Sequence, residues 1–491
     1  MALQKLTIPD FLGGISPSQY IGKINQFQGV SRGVDLWRVT SSGGGIAKIG
    51  NVAPGWTSSA VTNVGSVTTT INKFIPSDTT SDSLFLYGYS ATKMYRLDTS
   101  NDTITSNASW PQAVTSGAPG GLGYYRGSMY YANGSTQVGT FTPGSAPTFT
   151  ANTLTGLASS TTYRPMITLR DRLFIGNGNQ VFQRFGTTNT ANALILETDY
   201  IIDHFATYRS YLVISASKNN VTTGITFNTG SKIWLWDTVG SSGGAALPNF
   251  EYNFPEPRCR GLKELSGNLY AIGVNFIYVF NGDAFVPIFN LQASSLNVAV
   301  GSGIQVANNN SPVENLNTWK NFLLFCGDNE VCTYGSLDPA IPSAICAPWT
   351  LTNAALASGA RDDKIYASAT SGNQLVVFSG GNATPQLDTT YINFGAKVRL
   401  KGVQFKTAPF NTGQTLIVSF LYDNASGSAT ISFGTKTGGS TAVSELFFTP
   451  TTQPVVDTGF FRFDFSAGGP VIKPPIYVFY EPVEEPFMDV N

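Results

Sequence analysis

A strand–turn–strand unit that recurs along most of the chain constrains its fold more than any other feature. The clearest copy runs from Arg260 to Asn290. The turn Ser266-Gly267-Asn268 introduces an apolar run, Leu269 to Ile272. Gly273 to Asn275 turns the chain into Phe276 to Phe280, and Asn281-Gly282-Asp283 leads to Phe285 to Phe289. Short β-rich runs cut by Gly, Asn, Asp and Ser form consecutive antiparallel hairpins, because those residues adopt the backbone conformations that tight turns need. Three or four such strands make one blade of a β-propeller.

The unit recurs in both directions. Leu86, Tyr130, Phe174, Val213, Tyr270, Leu324 and Tyr366 mark the first strand recognised in each copy, at intervals of 44, 44, 39, 57, 54 and 42 residues. A period of roughly 40–50 residues with several strands per repeat is the propeller signature. A second strand follows most markers: Lys93–Leu97, Gln180–Phe185, Lys232–Trp236, Phe276–Phe280, Glu330–Tyr334 and Gln374–Phe378. The two longest intervals hold segments that read as loops, Lys218–Ser231 and Asn290–Pro312. The expectation is an all-β chain: an irregular six- to seven-bladed β-propeller over residues 51–395, followed by a second β-domain over 396–491.

That second domain shows clean alternation. Leu416, Val418, Phe420 and Tyr422 share one face, as do Phe461, Phe463 and Phe465. Val398 and Leu400 face one way and Val403 and Phe405 the next, so a β-bulge is expected at Gly402. With Thr430–Phe433, Glu445–Phe448 and Ile476–Tyr480, about six strands form a small β-sandwich or jelly-roll-like module.

Charge is scarce. Charged residues make up 12% of the 491 and the net charge is −1, against the usual ~25% charged. A polar, uncharged surface offers little self-repulsion to oppose assembly. No run of Lys or Arg exists, and stable nucleic-acid binding needs clustered cations on phosphates. The first ten residues have no apolar run of the signal-peptide kind, and no segment reads as a membrane span. Four cysteines do not make a disulfide framework. Cys326 and Cys332 fall on successive strands of one hairpin and read as reduced, partly buried thiols.

Residues 1–50 differ from the repeats and read as an N-terminal arm plus a strand that closes the ring against the last blade. The arm carries Phe11-Leu12-Gly13-Gly14-Ile15-Ser16, then Gln26 and Gln28, then the strand Val34-Asp35-Leu36 and the turn Gly43-Gly44-Gly45. This aromatic-x-Gly-Gly-Ile-Ser opening, with the Gln segment and Val-Asp-Leu strand, resembles the tail nozzle proteins of short-tailed bacteriophages, also called tail tubular protein B. A β-propeller followed by a smaller β-domain is similar to the nozzle and hub proteins of such tails. The chain departs from that pattern at Ala47-Lys48-Ile49-Gly50, where an Arg-Pro-Gly turn is common, and the best-known nozzle proteins are usually longer, with extra domains.

The resemblance implies a structural virion protein: a homohexameric ring below the portal and adaptor, contacting tail fibres or tip proteins. It would form and gate the channel through which DNA passes without specific binding, in particles assembled in the host cytoplasm. Asn308, Asn309 and Asn310, in an uncharged loop, are candidates for a channel-facing segment. Phe11, Ile15 and Tyr20 are candidates for assembly contacts. The alternative is a receptor- or carbohydrate-binding propeller tail protein, for which tyrosines in Tyr124-Tyr125 and Tyr130-Tyr131 would supply stacking surfaces.

Catalytic constellations do not assemble from the residues. The one histidine, His204, stands beside Asp203. The Gly-x-Ser-x-Gly match, Gly240 to Gly244, lies in a Gly/Ser loop with no helix after it, and the chain order is wrong for an α/β-hydrolase triad. One His and scattered Cys do not furnish three or four zinc ligands. Asp98, Asp171, Asp203, Asp237, Asp283, Asp328 and Asp362 recur near strand ends, where Asp is a standard turn residue. No enzymatic activity, metal or cofactor is expected.

Overall fold

In the computed structural model every regular element is a β-strand among the described residues. These are residues 2–9, the short segments 14–15, 29–30, 34–35 and 53–54, and most of 58–290, 316–466 and 470–483. The longest stretches outside them are 16–28, 36–52 and 291–315.

Seven sheets form a seven-bladed β-propeller. The fifth shows the plan: Gly261–Leu265, Asn268–Ile272, Phe276–Phe280 and Phe285–Asn290 pair in that order, each antiparallel to the last. The first strands of successive blades are Lys73–Pro76, Leu122–Tyr125, Met166–Leu169, Tyr200–Tyr208, Gly261–Leu265, Leu316–Trp319 and Ala355–Arg361. Neighbours in this series lie against one another around most of the ring, so the first strands surround the axis. All seven sequence markers fall one strand further out, in the second strand of each blade. Sequence periodicity therefore counts the repeats but overlooks the innermost strand of each. These strands carry Gly, Lys, Glu and Asn among their apolar residues, since one edge of each faces the axis, and they show no clean alternation.

Three expectations are corrected here. The ring closes through Ser58–Ala60, the fourth strand of the seventh sheet beside Leu375–Phe378, and the Val61 N–H donates to the Leu375 carbonyl at 3.1 Å. The closing strand thus lies beyond residues 1–50, where it was expected; being Ser-rich and three residues long, it carries no hydrophobic pattern. Lys218–Ser231 is not a loop: Tyr211–Thr222 and Ile225–Trp236 form one long hairpin with pairing that extends to Thr222 and Ile225. The sandwich starts earlier than 396, with Gln386–Asp388.

The propeller core lies between blades. Phe174, Leu194, Tyr200, Ile214, Trp234 and Trp236 bury the third blade against the fourth. Val213, Leu235, Leu262, Leu269 and Tyr278 do the same for the fourth and fifth, and Leu86, Tyr95, Tyr366 and Val377 for the first and seventh. Each blade face is apolar and covers its neighbour, so a blade buries little by itself and the ring is stable only when closed. Tyr125, Tyr130 and Tyr131 belong to this core, which removes them as stacking surfaces for a sugar. Cys326 and Cys332 are buried.

The chain divides into two compact units, residues 59–331 with 351–378 and residues 1–58 with 332–350 and 379–491. The second holds the sandwich. One sheet runs Gln4–Ile8, Ile472–Pro482, Ile392–Thr407, Ser444–Phe448; the other runs Gly427–Thr437, Thr415–Asn424, Val455–Phe465, Gln386–Asp388. Ile392–Thr407 and Val455–Phe465 also pair with each other at their starts, which joins the sheets. Phe405, Phe420, Phe461 and Phe463 fill the space between the two sheets. The expected bulge is present: Leu400 faces Tyr480 and Gly402 faces Phe479, leaving Lys401 as the extra residue. Residues 4–8 join this sandwich and not the ring, because Ile8 is buried on its edge.

Candidate functional site

The first strands of the blades enclose a cavity of about 320 Å³ on the propeller axis. A propeller places functional groups here because the outer strands are used in blade-to-blade packing, whereas the inner edges remain unpaired along the axis. Its polar lining comes from six blades: Lys73 from the first, Tyr124 from the second, Thr168 from the third, Thr207 from the fourth, Lys263 and Glu264 from the fifth and Asn317 from the sixth. Phe74, Met166 and Phe205 form its apolar wall. Glycines let the inner strands approach: a Cβ on Gly123 would stand 2.7 Å from the Met166 Cβ, and one on Gly359 would stand 2.6 Å from the Phe74 Cβ.

Two lysines line one small cavity, and burial depresses both. Lys73 is buried; burial first, then the positive charge of Lys263, brings its pKa down to about 7. Burial lowers Lys263 as well. Both effects disfavour the charged form, as expected where two like charges lose water.

A second polar group lies behind the lining, where the fourth and fifth blades meet. The Arg258 guanidinium donates to Asp203 Oδ1 at 2.8 Å, with both side chains under 5% exposed. Ser217 Oγ donates to the other Asp203 oxygen. Burial pushes the Asp203 carboxyl up, and Arg258 opposes it. His204 is 1% exposed, and neither ring nitrogen meets a hydrogen-bond partner in normal geometry. Burial and the charges of Arg258, Lys73 and Arg260 hold its imidazole well below the usual range, while only the Cys259 backbone favours the charged form. Glu256 caps the fifth blade, accepting from the Asn275 and Phe276 amides and from the Tyr278 hydroxyl at 3.0–3.1 Å.

The aspartates singled out in the sequence divide into two kinds. Asp98 and Asp237 are turn residues, each accepting a backbone N–H two positions on, and Asp171 sits in a turn with φ +56°. Asp203 differs: it is a buried ion-pair member inside a strand, displaced inward by a register shift between Ile202 and His204. Asp328 and Asp362, the Gly240–Gly244 segment, Phe11, Tyr20, Asn308, Asn309 and Asn310 lie outside the described residues. Ile15 pairs in a short parallel bridge with Val30. Among the described residues no three His, Cys, Asp or Glu side chains are placed to hold a metal ion. Sequence reasoning missed Lys73, Lys263 and Arg258; Lys73 lies far along the chain from the other two, and only closing the ring brings it near Lys263.

No family model matches the chain and no curated protein matches it. Among solved structures it is similar to the WD40 β-propeller domain of Doa1, at 9% identity and a TM-score of 0.41, over 66% of this chain and 96% of that one. It is also similar to the computationally designed Ika8 protein, at 8% identity and a TM-score of 0.38, over 65% of this chain and 99% of that one. A third similarity is to the extracellular domain of a one-component system from B. thetaiotaomicron, at 11% identity and a TM-score of 0.35, over 80% of this chain and 43% of that one.

Proposed function

We propose that the chain is a structural virion protein, a subunit of the nozzle or hub ring of a short-tailed phage tail. One observation carries the reading: a seven-bladed propeller and a separate eight-stranded β-sandwich on one chain, the two-module arrangement that the resemblance at Phe11–Ser16 and Val34–Leu36 implies. The charge balance is in keeping with it. A wall rich in Ser, Thr and Asn with 12% charged residues holds few phosphates and gives little friction to passing DNA. Subunits would assemble as a homohexamer, and the nozzle would act mechanically, without turnover or cofactor.

Native mass spectrometry and electron microscopy of the assembled protein test this directly. Six copies of 52.4 kDa give a particle of about 314 kDa with sixfold symmetry and a central opening. A compact trimer with no opening would refute the nozzle assignment and favour a receptor-binding tail protein.

A further inference from the structure

The outer face of the sandwich sheet that contains Ile472–Pro482 carries a group of aromatic rings. Paired residues of neighbouring strands share a face, so the register sets Thr7, Tyr477, Gln404 and Phe447 side by side across four strands. The adjoining row, Leu6, Val478, Val403 and Phe448, turns into the core. Phe479, two residues beyond Tyr477, joins the outer face. Phe447 stays 47% exposed, and its ring stands 6.0 Å from that of Phe479 at 55°. Gly402 lets so large an apolar ring lie down here. A Cβ at that position would stand 2.5 Å from Phe447 Cζ, so the missing side chain allows the ring to rest on the backbone. The solvent face of an antiparallel sheet ordinarily takes polar residues. A ring laid flat on it, over a glycine, is a surface suited to another flat molecule.

The charged groups around the rings are mostly cations. On these four strands, among the described residues, Lys5, Arg399, Lys401, Lys406 and Lys473 share the face with two carboxylates, Glu445 and Glu481. Lys401 is paired with Glu481 at 2.9 Å. Lys406 stands directly opposite Lys473 in the ladder, and like charges in that position oppose strand pairing. Lys5 lies over the Tyr477 ring at 4.5 Å, a contact that holds the ammonium beside the ring and leaves its charge in place. Gln404 donates to Glu445 Oε1 at 2.9 Å. Their oxygens carry further lone pairs in line with the rings, and these suit hydroxyl donors.

We propose that this face of the sandwich binds an acidic polysaccharide: pyranose rings lie on Phe447 and Tyr477, and uronate carboxylates meet Lys406 and Lys473. The chemistry suits it. One side of a pyranose ring presents C–H groups of slight positive charge, and the face of an aromatic ring is negative. The spacing suits it as well. Phe447 and Tyr477 are two strand spacings apart, about 10 Å, the span of two linked sugar rings. Lys406 is two residues along its strand from Gln404, about 7 Å, within reach of a carboxylate on one of those rings. A carboxylate between Lys406 and Lys473 removes their repulsion and gains charge-assisted hydrogen bonds. A protein partner would instead need pockets for its anchoring side chains, and the rings here lie on an open sheet.

Isothermal titration of the full chain at low salt tests the face, with oligomers of galacturonate, mannuronate and hyaluronan, neutral dextran, and polyglutamate. At least one uronate oligomer should bind at sub-millimolar concentration, with dextran and polyglutamate several-fold weaker. Phe447→Ala should weaken uronate binding about tenfold, the upper end for one aromatic contact. Lys406→Gln with Lys473→Gln should weaken it several-fold at low salt and little at about 0.5 M salt, where exposed charges are screened. The same pair should leave thermal stability unchanged or raised, because a like-charge pair is gone. If Phe447→Ala does not fold, Phe447→Leu keeps an apolar side chain without the flat ring, and the lysine pair carries the rest of the test. No binding of any uronate oligomer at millimolar concentration would overturn the proposal, as would unchanged affinity in the folded variants. Polyglutamate binding as tightly as the uronates would overturn it too, by reducing the face to a general anion surface. So would a parent protein that binds no uronate and loses self-association on Phe447→Ala, which would give the face to a second copy of the chain. The titration does not depend on ring number, so this site and the nozzle assignment can fail separately.

Discussion

Replacing Asp203 by asparagine should destabilise the propeller by about 3–5 kcal/mol, the range found when one partner of a buried ion pair is removed. The structure puts this pair at the severe end. Asp203 and Arg258 are 3% and 4% exposed at the side chain, and the contact is a 2.8 Å charge-assisted hydrogen bond. The new amide would keep a partner in Ser217 but leave the Arg258 guanidinium buried without its Asp203 counter-charge, near Arg260 and His204. Replacing both, Asp203→Asn with Arg258→Met, removes the stranded charge and should return stability to within about 1–2 kcal/mol of the parent, since apolar replacement of a buried pair is often neutral. Urea unfolding followed by tryptophan fluorescence suits the measurement, because Trp234 and Trp236 are buried in the same blade. At about 2–4 °C per kcal/mol for domains of 150–250 residues, and somewhat less for a larger one, the single variant should melt roughly 6–10 °C lower. A loss below about 1 kcal/mol for the single variant, or a double variant that loses more than the single, would refute the reasoning.

Other outcomes follow from the same structure. Gly359→Ala should cost about 1–3 kcal/mol by overpacking, since its Cβ would meet the Phe74 Cβ at 2.6 Å where the seventh blade touches the first; an unchanged melting curve would show that these strands slide apart freely. Lys73 has a folded pKa near 7 against 10.5 unfolded, so between those values the unfolded chain binds the extra proton and stability rises with pH; Lys73→Met should flatten that slope in melts between pH 7 and 10. His204 is also depressed, so stability should fall as pH drops below about 6.5, and His204→Gln should remove that acid-side loss. Deleting residues 1–8 strips the edge strand Gln4–Ile8 and uncovers the partners of buried Ile8. Calorimetry should show the sandwich transition lowered by about 1.5–3 kcal/mol and the propeller transition unmoved.

Local chemistry that repeats was legible in the sequence. The markers Leu86 to Tyr366 each lie in the second strand of a blade because that strand is largely buried on both faces and therefore mostly apolar, as in Leu323–Cys326. The bulge beside Gly402 was legible because a one-residue slip moves every later side chain to the other face. The innermost strands were not, since Gly261-Leu262-Lys263-Glu264 has no alternation: one edge faces the axis and charged groups are admitted. Residues 4–8 gave no sign of their partner, because an edge strand can satisfy its backbone on any free sheet edge.

The sequence by itself determined an all-β repeat chain with a sandwich at its end, since hydrophobic period and turn residues are encoded within a few positions of each other. Tertiary structure alone decided where the ring closes, which strands line the axis, and that the lysines at positions 73 and 263 line one cavity. Charges separated by roughly forty or more residues carry no mutual signal along the chain; circular closure of equivalent blades superimposes their positions, and only then do their fields add.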